Sequence, residues 1–503
     1  MSYMSTLRGT AAVTAMLAAT AAHADLTADT VWQSWQDYAA QSGQTMSAEG
    51  ETRDGDALIL DGVTLSGAMD DLILTATIGE ITFVEEGDGT VGIVMPDRYS
   101  MSLISEDGED GLIMSVSQPG MELAAGETET GIGYALRAPE LAITVEEVMG
   151  EDAPEVLDIS LSANGVLGSY DIPSDPAGPT TADLRSNAVN FVARVVDAET
   201  DLDADISLSI SGGAMEFSGA ALALMDEQDP TSALREGFAF DLATSHDSLR
   251  FSFMVEDGGE RNEGSGGAVD GEFRLALDGD RFALSTGNRN SEITFSGDEI
   301  PFPAITLTAA QTAFGFAMPL SGGDEPQDVS LTTRIVDLNV TEEVWAMLDP
   351  MGQLPRTPAT VILDLAAEVL LGNDLYSEET AMGVMMAGPD AAGELVSAAL
   401  NELNVSFAGA RLTGDGAFTF DYTDRETFDG VPRPTGTMEL ALRGGNTLLD
   451  TLVEMGLVPE EDAMGARMML ALFTRPGETE DELLTTLEVR EDGAVLANGQ
   501  RLQ

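Results

Sequence analysis

The stretch Ile206-Ser207-Leu208-Ser209-Ile210-Ser211 alternates apolar and polar side chains without a break. Because successive side chains of a strand point to opposite faces, this period of two predicts a β-strand with one apolar and one polar face. The same alternation recurs over residues 72–78, 249–255, 273–277, 418–422 and 438–442. Alternation of this kind is typical of antiparallel sheets that have one solvated face.

Short segments with turn sequences separate the alternating stretches. They are Glu86-Gly87-Asp88-Gly89, Asp107-Gly108, Asn164-Gly165, Asp278-Gly279-Asp280 and Asp492-Gly493. Gly, Asn and Asp tolerate the backbone conformations that hairpin turns require. The sequence therefore predicts a mainly β fold, a long, curved antiparallel sheet built as a meander of hairpins.

Helical periodicity is confined to the two ends of the chain. Apolar residues from Leu26 to Ala39 recur at helical spacing, Thr27 or Asp29 can cap this helix, and Gly43 ends it. We expect Trp32 and Trp35 to dock it onto the sheet. Further helices, packed on the apolar face of the sheet, are predicted at Thr341–Asp349, Ser377–Met386, Pro389–Leu403, from Asn446 to Gly456, and from Pro459 onwards.

The first 24 residues have the pattern of a cleavable signal peptide. Arg8 precedes a short, alanine-rich apolar segment, and Ala22-His23-Ala24 is a small-x-small cleavage sequence. We expect Sec-type export, cleavage after Ala24 and a periplasmic location, with no membrane-spanning segment in the mature chain. The remaining sequence divides into 25–172, 173–340 and 341–503, with a single continuous unit 25–503 as the alternative.

The composition excludes several classes of function. The chain has 88 Asp and Glu, 22 basic residues that are all Arg, no Cys, and a formal charge of −66. Without Lys there is no P-loop and no Schiff base, and without Cys there is no thiolate chemistry. The negative charge opposes binding to nucleic acid phosphates. We predict no enzymatic activity and no cofactor.

Two local patterns suggest catalysis or metal binding, but each has a simpler interpretation. Ser245-His246-Asp247 are adjacent, whereas the residues of a catalytic triad converge from separate positions, so a turn is expected there. The carboxylates Asp201, Asp203 and Asp205 are weak calcium candidates. They depart from an EF-hand loop, because Ile206 and Gly212 stand where Gly and Glu are required. No other metal site is predicted.

Methionine is clustered in two of the predicted helices. Flexible thioether side chains suit irregular apolar surfaces. The candidates for lining or covering a ligand groove are Met382, Met385, Met386, Met464, Met468 and Met469. Ordinary packing of helices on a sheet is the simpler interpretation of the same residues.

The last third of the chain contains several recognisable short sequence motifs. They include Leu348-Asp349-Pro350, Leu354-Pro355-Arg356, residues 412–418, Gly445-Asn446-Thr447 and Asn498-Gly499. Together with Val31-Trp32-Gln33-Ser34-Trp35 near the N-terminus, these motifs resemble those of the DUF2125 family, a group of secreted proteins of alphaproteobacteria. The order of C-terminal elements is more loosely similar to AsmA-like and DUF945-like envelope proteins. That similarity implies a long antiparallel β-protein linked to outer-membrane assembly or lipid traffic, although no retained N-terminal membrane helix is expected here.

These observations favour a non-enzymatic periplasmic protein of the cell envelope. We expect it to bind or carry a lipid or another hydrophobic ligand along an apolar β-groove, with an envelope protein as a further partner. The first alternative is a structural or interaction protein whose acidic surface binds partners or calcium. The second is a hydrolase that relies on carboxylates alone. The sequence specifies no oligomeric state.

Overall fold

The computed structural model describes residues 26–69, 71–151, 153–175, 178–219, 234–235, 237–388 and 391–502. This part of the chain contains 25 β-strands and five α-helices, and the strand pairings given below are antiparallel. The predicted mainly β fold with a long antiparallel sheet is confirmed. The predicted signal peptide and its cleavage site lie outside the described residues.

The helices are α1 (Ala28–Gln41), α2 (Glu342–Leu348), α3 (Glu378–Ala387), α4 (Gly445–Glu454) and α5 (Glu460–Phe473). The predicted N-terminal helix is confirmed. Its cap is Thr27, whose hydroxyl accepts a hydrogen bond from the Thr30 amide at 3.2 Å. The helices predicted from Thr341, Ser377, Asn446 and Pro459 are also confirmed. Among the described residues, no helix combines the length and apolarity that a bilayer crossing requires.

The strands of the N-terminal half are short at first and then become long. They are β1 (Gln44–Ser47), β2 (Gly50–Asp54), β3 (Ala57–Met69), β4 (Leu72–Glu85), β5 (Thr90–Val94), β6 (Arg98–Ser105), β7 (Gly111–Ser117), β8 (Glu122–Glu127), β9 (Gly131–Met149), β10 (Val156–Pro173), β11 (Thr180–Asp197), β12 (Leu202–Gly219) and β13 (Phe240–Asp257).

The remaining strands alternate with the late helices. They are β14 (Glu260–Leu277), β15 (Arg281–Gly297), β16 (Ile305–Pro319), β17 (Gln327–Val340), β18 (Ala359–Leu371), β19 (Gly393–Phe407), β20 (Ala410–Asp421), β21 (Arg433–Arg443), β22 (Arg475–Pro476), β23 (Glu482–Val489), β24 (Val495–Ala497) and β25 (Gln500–Arg501).

The chain forms two compact units. The first runs to Gly271 and adds Phe295–Pro301, and the second comprises Glu272–Thr294 and Phe302–Gln503. In the first unit, β4 pairs with both β5 and β6, and β9 pairs with both β8 and β7. The strands β9 to β13 then follow one another as a meander. In the second unit, β16 to β21 form a meander that continues to β23.

The main hydrophobic core of the first unit lies where α1 covers the sheet. Trp32 and Trp35 both contact the ring of Phe83 on β4, with ring centroids 6.4 and 5.3 Å apart. Trp35 also donates its indole N–H to the hydroxyl of Tyr134 on β9, at 3.0 Å. Tyr134 and Phe83 are completely buried. The predicted docking role of the two tryptophans is therefore confirmed.

A line of irregular residues interrupts the pairing of β10 to β13 at one level. Gly165 and Gly212 have φ angles of +62°, in the left-handed region that favours glycine. The side chain of Asn187 lies over Gly165, and that of Asp247 lies over Gly212. The strand register resumes unchanged beyond this line. We call these residues the glycine seam.

The alternation of apolar residues shifts by one at the glycine seam. On β12 the apolar positions are even-numbered up to Ile210, whereas Met215 and Phe217 are odd-numbered. Such a change from even-numbered to odd-numbered positions is expected where a strand contains one extra residue, as in a β-bulge. The shift keeps apolar side chains on one face along the whole strand.

The glycine seam explains two predictions that were wrong. Asn164-Gly165 is not a turn between strands but lies inside β10, and Ser245-His246-Asp247 is not a turn but lies inside β13. Polar and glycine residues that interrupt an alternating pattern look the same in a sequence whether the chain reverses or only bulges. The neighbouring strand, which supplies the facing irregular residue, decides between the two.

The predicted helix at Pro389–Leu403 is also wrong, because Gly393–Phe407 form strand β19. The register of β19 against β18 shifts at two points. As a result, the apolar residues that pair with every second residue of β18 are spaced alternately by three and two positions, which interrupts the period of two that indicates a strand. They are Leu395, Ala398, Leu400, Leu403 and Val405. The Ala, Leu and Glu content of this segment also favours a helix.

We predict that Gly212→Ala destabilises the protein more than Gly258→Ala does. Both positions have positive φ, which costs a non-glycine residue about 1–2 kcal/mol. At Gly212 the new methyl group would also overlap the side chain of Asp247, whereas Gly258 has open space around it. Overpacking adds about 1–3 kcal/mol. The measurement is the free energy of unfolding in urea.

Asp247→Ala provides the coupling test for this prediction. In the double variant Gly212→Ala/Asp247→Ala the overlap is removed, so its destabilisation should be smaller than the sum of the two single effects. Equal losses for Gly212→Ala and Gly258→Ala, or additive effects in the double variant, would contradict the packing described for the glycine seam.

Candidate functional site

The meander β9 to β13 carries an apolar face that is only partly buried. A row of directly paired apolar residues runs across it from β6 to β13: Tyr99, Val116, Ile143, Leu161, Phe191, Leu208 and Phe251. A neighbouring row contains Ile159, Ala193, Ile206 and Phe253. We call these two rows the open apolar face.

The open apolar face remains accessible to solvent. Ile143, Leu161 and Ile206 are 37 %, 43 % and 42 % exposed. Helix α1 packs on β1, β3 and β4, away from these two rows. Large contiguous apolar surfaces are uncommon on monomeric proteins and mark sites of interaction or ligand binding.

The second unit contains an apolar cavity of about 450 Å³. Ends of β16, β17, β18, β19 and β20 supply its walls, and the loop before β21 closes one side. The main apolar contributors are Phe316, Val329, Val369, Leu371, Leu395 and Phe420. Volume and lining are those of a site for a small hydrophobic molecule, which is usually a concave, mostly apolar pocket with few polar groups. We call this site the apolar cavity.

The polar groups of the apolar cavity are few. Glu394 is the only charged residue in its lining, and it is exposed at the cavity edge. The Tyr422 hydroxyl accepts a hydrogen bond from the Leu395 amide at 2.7 Å, so this oxygen is engaged with the backbone. The guanidinium of Arg425 lies 4.9 Å from the centre of the Tyr422 ring. Contacts to a ligand in this cavity would therefore be dominated by apolar side chains.

The methionine candidates lie elsewhere. Met382, Met385 and Met386 on α3 are 59 %, 87 % and 87 % exposed. On α5, the exposed fractions of Met464, Met468 and Met469 are 59 %, 65 % and 58 %. None of the six lines the apolar cavity. Their contact with a ligand remains a prediction.

The carboxylates proposed for calcium face an arginine. Arg194 on β11 lies 3.2 Å from Asp205 and 3.8 Å from Asp203, and Asp201 occupies the turn before β12 with a φ of +61°. Within the described residues, no three His, Asp or Glu side chains are grouped so that they could hold a metal ion. The nearby guanidinium disfavours a cation at this position.

His246 lies on β13 beside Asp247 of the glycine seam. Its ring lies against Gly271, and its Nε2 is buried without a hydrogen-bond partner. Ser245 and Asp247 are its neighbours on the same strand. Because successive side chains of a strand point to opposite faces, the three do not converge on one point.

The motif around Asp349 forms a buried polar cluster. Asp349 is 1 % exposed and accepts hydrogen bonds from the amides of Gln353 and Leu354, at 2.9 and 2.7 Å. Arg356 donates to the same carboxylate at 2.8 Å, and its guanidinium lies over the Trp345 ring. This cluster fixes the loop between α2 and β18.

Two other motifs, which contain Asn446 and Asn498, also hold turns and helix ends in place. Asp481 accepts hydrogen bonds from the amides of Asn446 and Thr447, at 3.2 and 2.8 Å, and so caps α4. Asn498 accepts from the Thr486 amide and donates to the Phe473 carbonyl, both at 2.9 Å. These hydrogen bonds hold the start of α4 and the C-terminal strands in place.

A family model described as uncharacterized protein conserved in bacteria (DUF2125) matches residues 252–502. The chain belongs to the DUF2125 family. The DUF2125 match covers the C-terminal half, which contains the apolar cavity and the Asp349 cluster. No curated protein and no solved structure matches the chain.

Sequence reasoning missed the apolar cavity. Its lining residues run from Phe316 to Pro432 and come together only because several strands end at the same level. Phe316, Val329, Val369 and Leu371 follow the ordinary alternation of their own strands. The only feature of the sequence that pointed to a cavity was the apolar face of the strands, because such a face must be covered by protein or by a ligand.

We predict that Asp349→Asn lowers the melting temperature at neutral pH, and that the difference from wild type narrows below about pH 4. Burial alone would raise the pKa of Asp349, but the hydrogen bonds from Gln353 and Leu354 and the Arg356 guanidinium outweigh it and lower this pKa. The carboxylate therefore stabilises the fold fully above its unfolded pKa of about 3.9, and this contribution is lost as the pH falls through the folded pKa.

Thermal unfolding between pH 3 and pH 7 is the measurement. Asp324→Asn is the control, because Asp324 is an exposed carboxylate in the loop between β16 and β17. It should leave the melting temperature unchanged at every pH. A difference between wild type and Asp349→Asn that persists undiminished at pH 3 would contradict the role assigned to the charged form.

Proposed function

We propose that this protein is a non-enzymatic, exported protein of the bacterial cell envelope that binds a lipid or another hydrophobic molecule. The observation that carries the proposal is the apolar cavity of about 450 Å³ in the second unit, with one charged residue in its lining. Its size lies within the range of about 300–1,000 Å³ that is usual for small-molecule sites.

The open apolar face of the first unit supports the same function. Covering a large apolar side chain removes it from water and contributes roughly 1.5–3 kcal/mol when the burial is complete. Rows of partly exposed Leu, Ile and Phe side chains therefore provide a strong driving force for binding an extended hydrophobic chain. Charged residues are absent from both rows.

The proposed location is the periplasm. It rests on the signal-like pattern that ends at Ala24, and the looser similarity to AsmA-like envelope proteins favours the same compartment. A formal charge of −66 favours solubility and repels anionic membrane surfaces. A ligand would therefore be held by apolar contacts and not by attraction of its head group to basic residues.

The test uses full-length protein exported to the periplasm and purified without detergent. Native mass spectrometry should detect bound hydrophobic molecules that disappear after extraction with organic solvent. Delipidated protein should then bind a fluorescent fatty acid analogue. If the exported protein carries no extractable ligand and the delipidated protein binds no such probe, the proposed function is wrong.

We predict that Val329→Trp lowers affinity for the probe at least tenfold, which corresponds to about 1.4 kcal/mol. Val329 lines the apolar cavity, so the indole ring would occupy the space of the ligand. Ser330→Trp is the matched control, because it adds the same ring at the next residue of β17, on the opposite face of the strand.

Circular dichroism and urea unfolding establish that both variants are folded. The cavity assignment requires that Ser330→Trp keeps wild-type affinity. If both variants bind like wild type, the cavity is not the binding site, and the open apolar face becomes the position to mutate.

A further inference from the structure

Helix α5 presents its large apolar side chains to solvent. Met464, Met468, Met469 and Leu472 are 59 %, 65 %, 58 % and 65 % exposed. At about 100° per residue, these four positions fall within an arc of roughly 140° on one side of the helix. We call these residues the methionine stripe.

The opposite side of α5 attaches the helix to the protein. Ala463 is 1 % exposed and is the one buried residue of the helix. Arg467 forms an ion pair with Asp450 of α4. Because Ala463 faces inwards while the four residues of the methionine stripe face outwards, most of the large apolar surface of this helix is exposed. Exposed apolar patches of this kind mark interaction sites.

The charges around the methionine stripe are negative at one end. Glu460, Glu461 and Asp462 form the first turn of α5 and are exposed. Arg467, the only basic residue in the sequence of the helix, is engaged by Asp450. The complementary surface is an apolar stripe with positive charges at one end, which is what a basic amphipathic helix offers. Methionine suits such a partner, because its flexible side chain adapts to different apolar surfaces.

We propose that the methionine stripe of α5 is a docking surface for a basic amphipathic helix of a partner protein. The apolar face of the partner helix lies along Met464, Met468 and Leu472, and its Lys or Arg residues lie beside Glu460 and Glu461. The acidic end of the stripe and the charge of −66 disfavour an anionic membrane as the occupant. This interaction is separate from ligand binding in the apolar cavity.

The test measures binding of two synthetic helical peptides to the full-length protein by isothermal titration calorimetry. One peptide is an 18-residue amphipathic helix of Leu and Lys, and the other has Gln in place of every Leu, so that the charge is the same. We expect the Leu/Lys peptide to bind at least tenfold more tightly than the Gln/Lys peptide. Equal affinities would mean that only charge attraction is present, and would overturn the proposal.

Two sets of substitutions locate the site. Met464→Gln, Met468→Gln, Met469→Gln and Leu472→Gln together should weaken the Leu/Lys peptide at least tenfold. The matched control is Met382→Gln, Met385→Gln and Met386→Gln, which removes exposed methionines of α3 and should leave the affinity unchanged. Similar losses in both variants, or none in either, overturn the assignment. Circular dichroism and urea unfolding verify that each variant is folded.

A third variant tests the charge complementarity. Glu460→Gln, Glu461→Gln and Asp462→Asn together should weaken the Leu/Lys peptide three- to tenfold at low salt and reduce the dependence of affinity on salt. An unchanged affinity would contradict the proposed orientation, in which the basic residues of the partner helix lie beside the first turn of α5. Sedimentation with neutral phosphatidylcholine vesicles tests whether the methionine stripe binds a membrane instead of a helix. If the vesicles bind only when the methionine stripe is intact and the Leu/Lys peptide does not bind, the docking proposal is wrong and the surface is a membrane contact.

Discussion

The long strands β10 to β13 each have one apolar face, and the structure depends on how that face is covered. In the first unit α1 covers part of the sheet, where Trp32 and Trp35 pack on Phe83 and Trp35 bonds to the Tyr134 hydroxyl. Further along the meander, the rows through Leu161 and Ile206 remain partly exposed. The contrast between a covered and an uncovered part of one apolar face is the physical basis of the proposed function.

The glycine seam allows the long strands to keep one continuous apolar face. Gly165 and Gly212 adopt the left-handed conformation, and the side chains of Asn187 and Asp247 fill the space where a Cβ would lie. Each strand then resumes with its alternation shifted by one residue. Irregular residues at the same level on neighbouring strands therefore act together, since a single misplaced residue would turn the apolar side chains of its strand to the wrong face.

Acidic residues serve two different roles in the second unit. Backbone amides hold Asp349, Asp481 and Glu482, helped by an arginine at Asp349 and Glu482 and by the side chains of Asn446 and Thr447 at Asp481. These hydrogen bonds lower the pKa values of the three carboxyl groups, and that of Glu482 falls to about 2. Such carboxylates fix loops and helix ends. Others, such as Glu460 and Glu461, stay on the surface and give it its charge. Asp349 lies in one of the motifs that resemble the family, and Asp481 binds the amides of Asn446 and Thr447 in another.

The sequence by itself determined the strand character, the terminal helices and the excluded chemistry, because alternation, caps and composition are local properties. It misassigned β19, whose register shifts interrupt the strand period of two, and it read Asn164-Gly165 and Ser245-His246-Asp247 as turns. Only the tertiary structure decided these cases, since the facing strand distinguishes a bulge from a turn. It also placed the methionines of α5 on the surface and assembled the apolar cavity, because both depend on which distant residues meet and not on any local pattern.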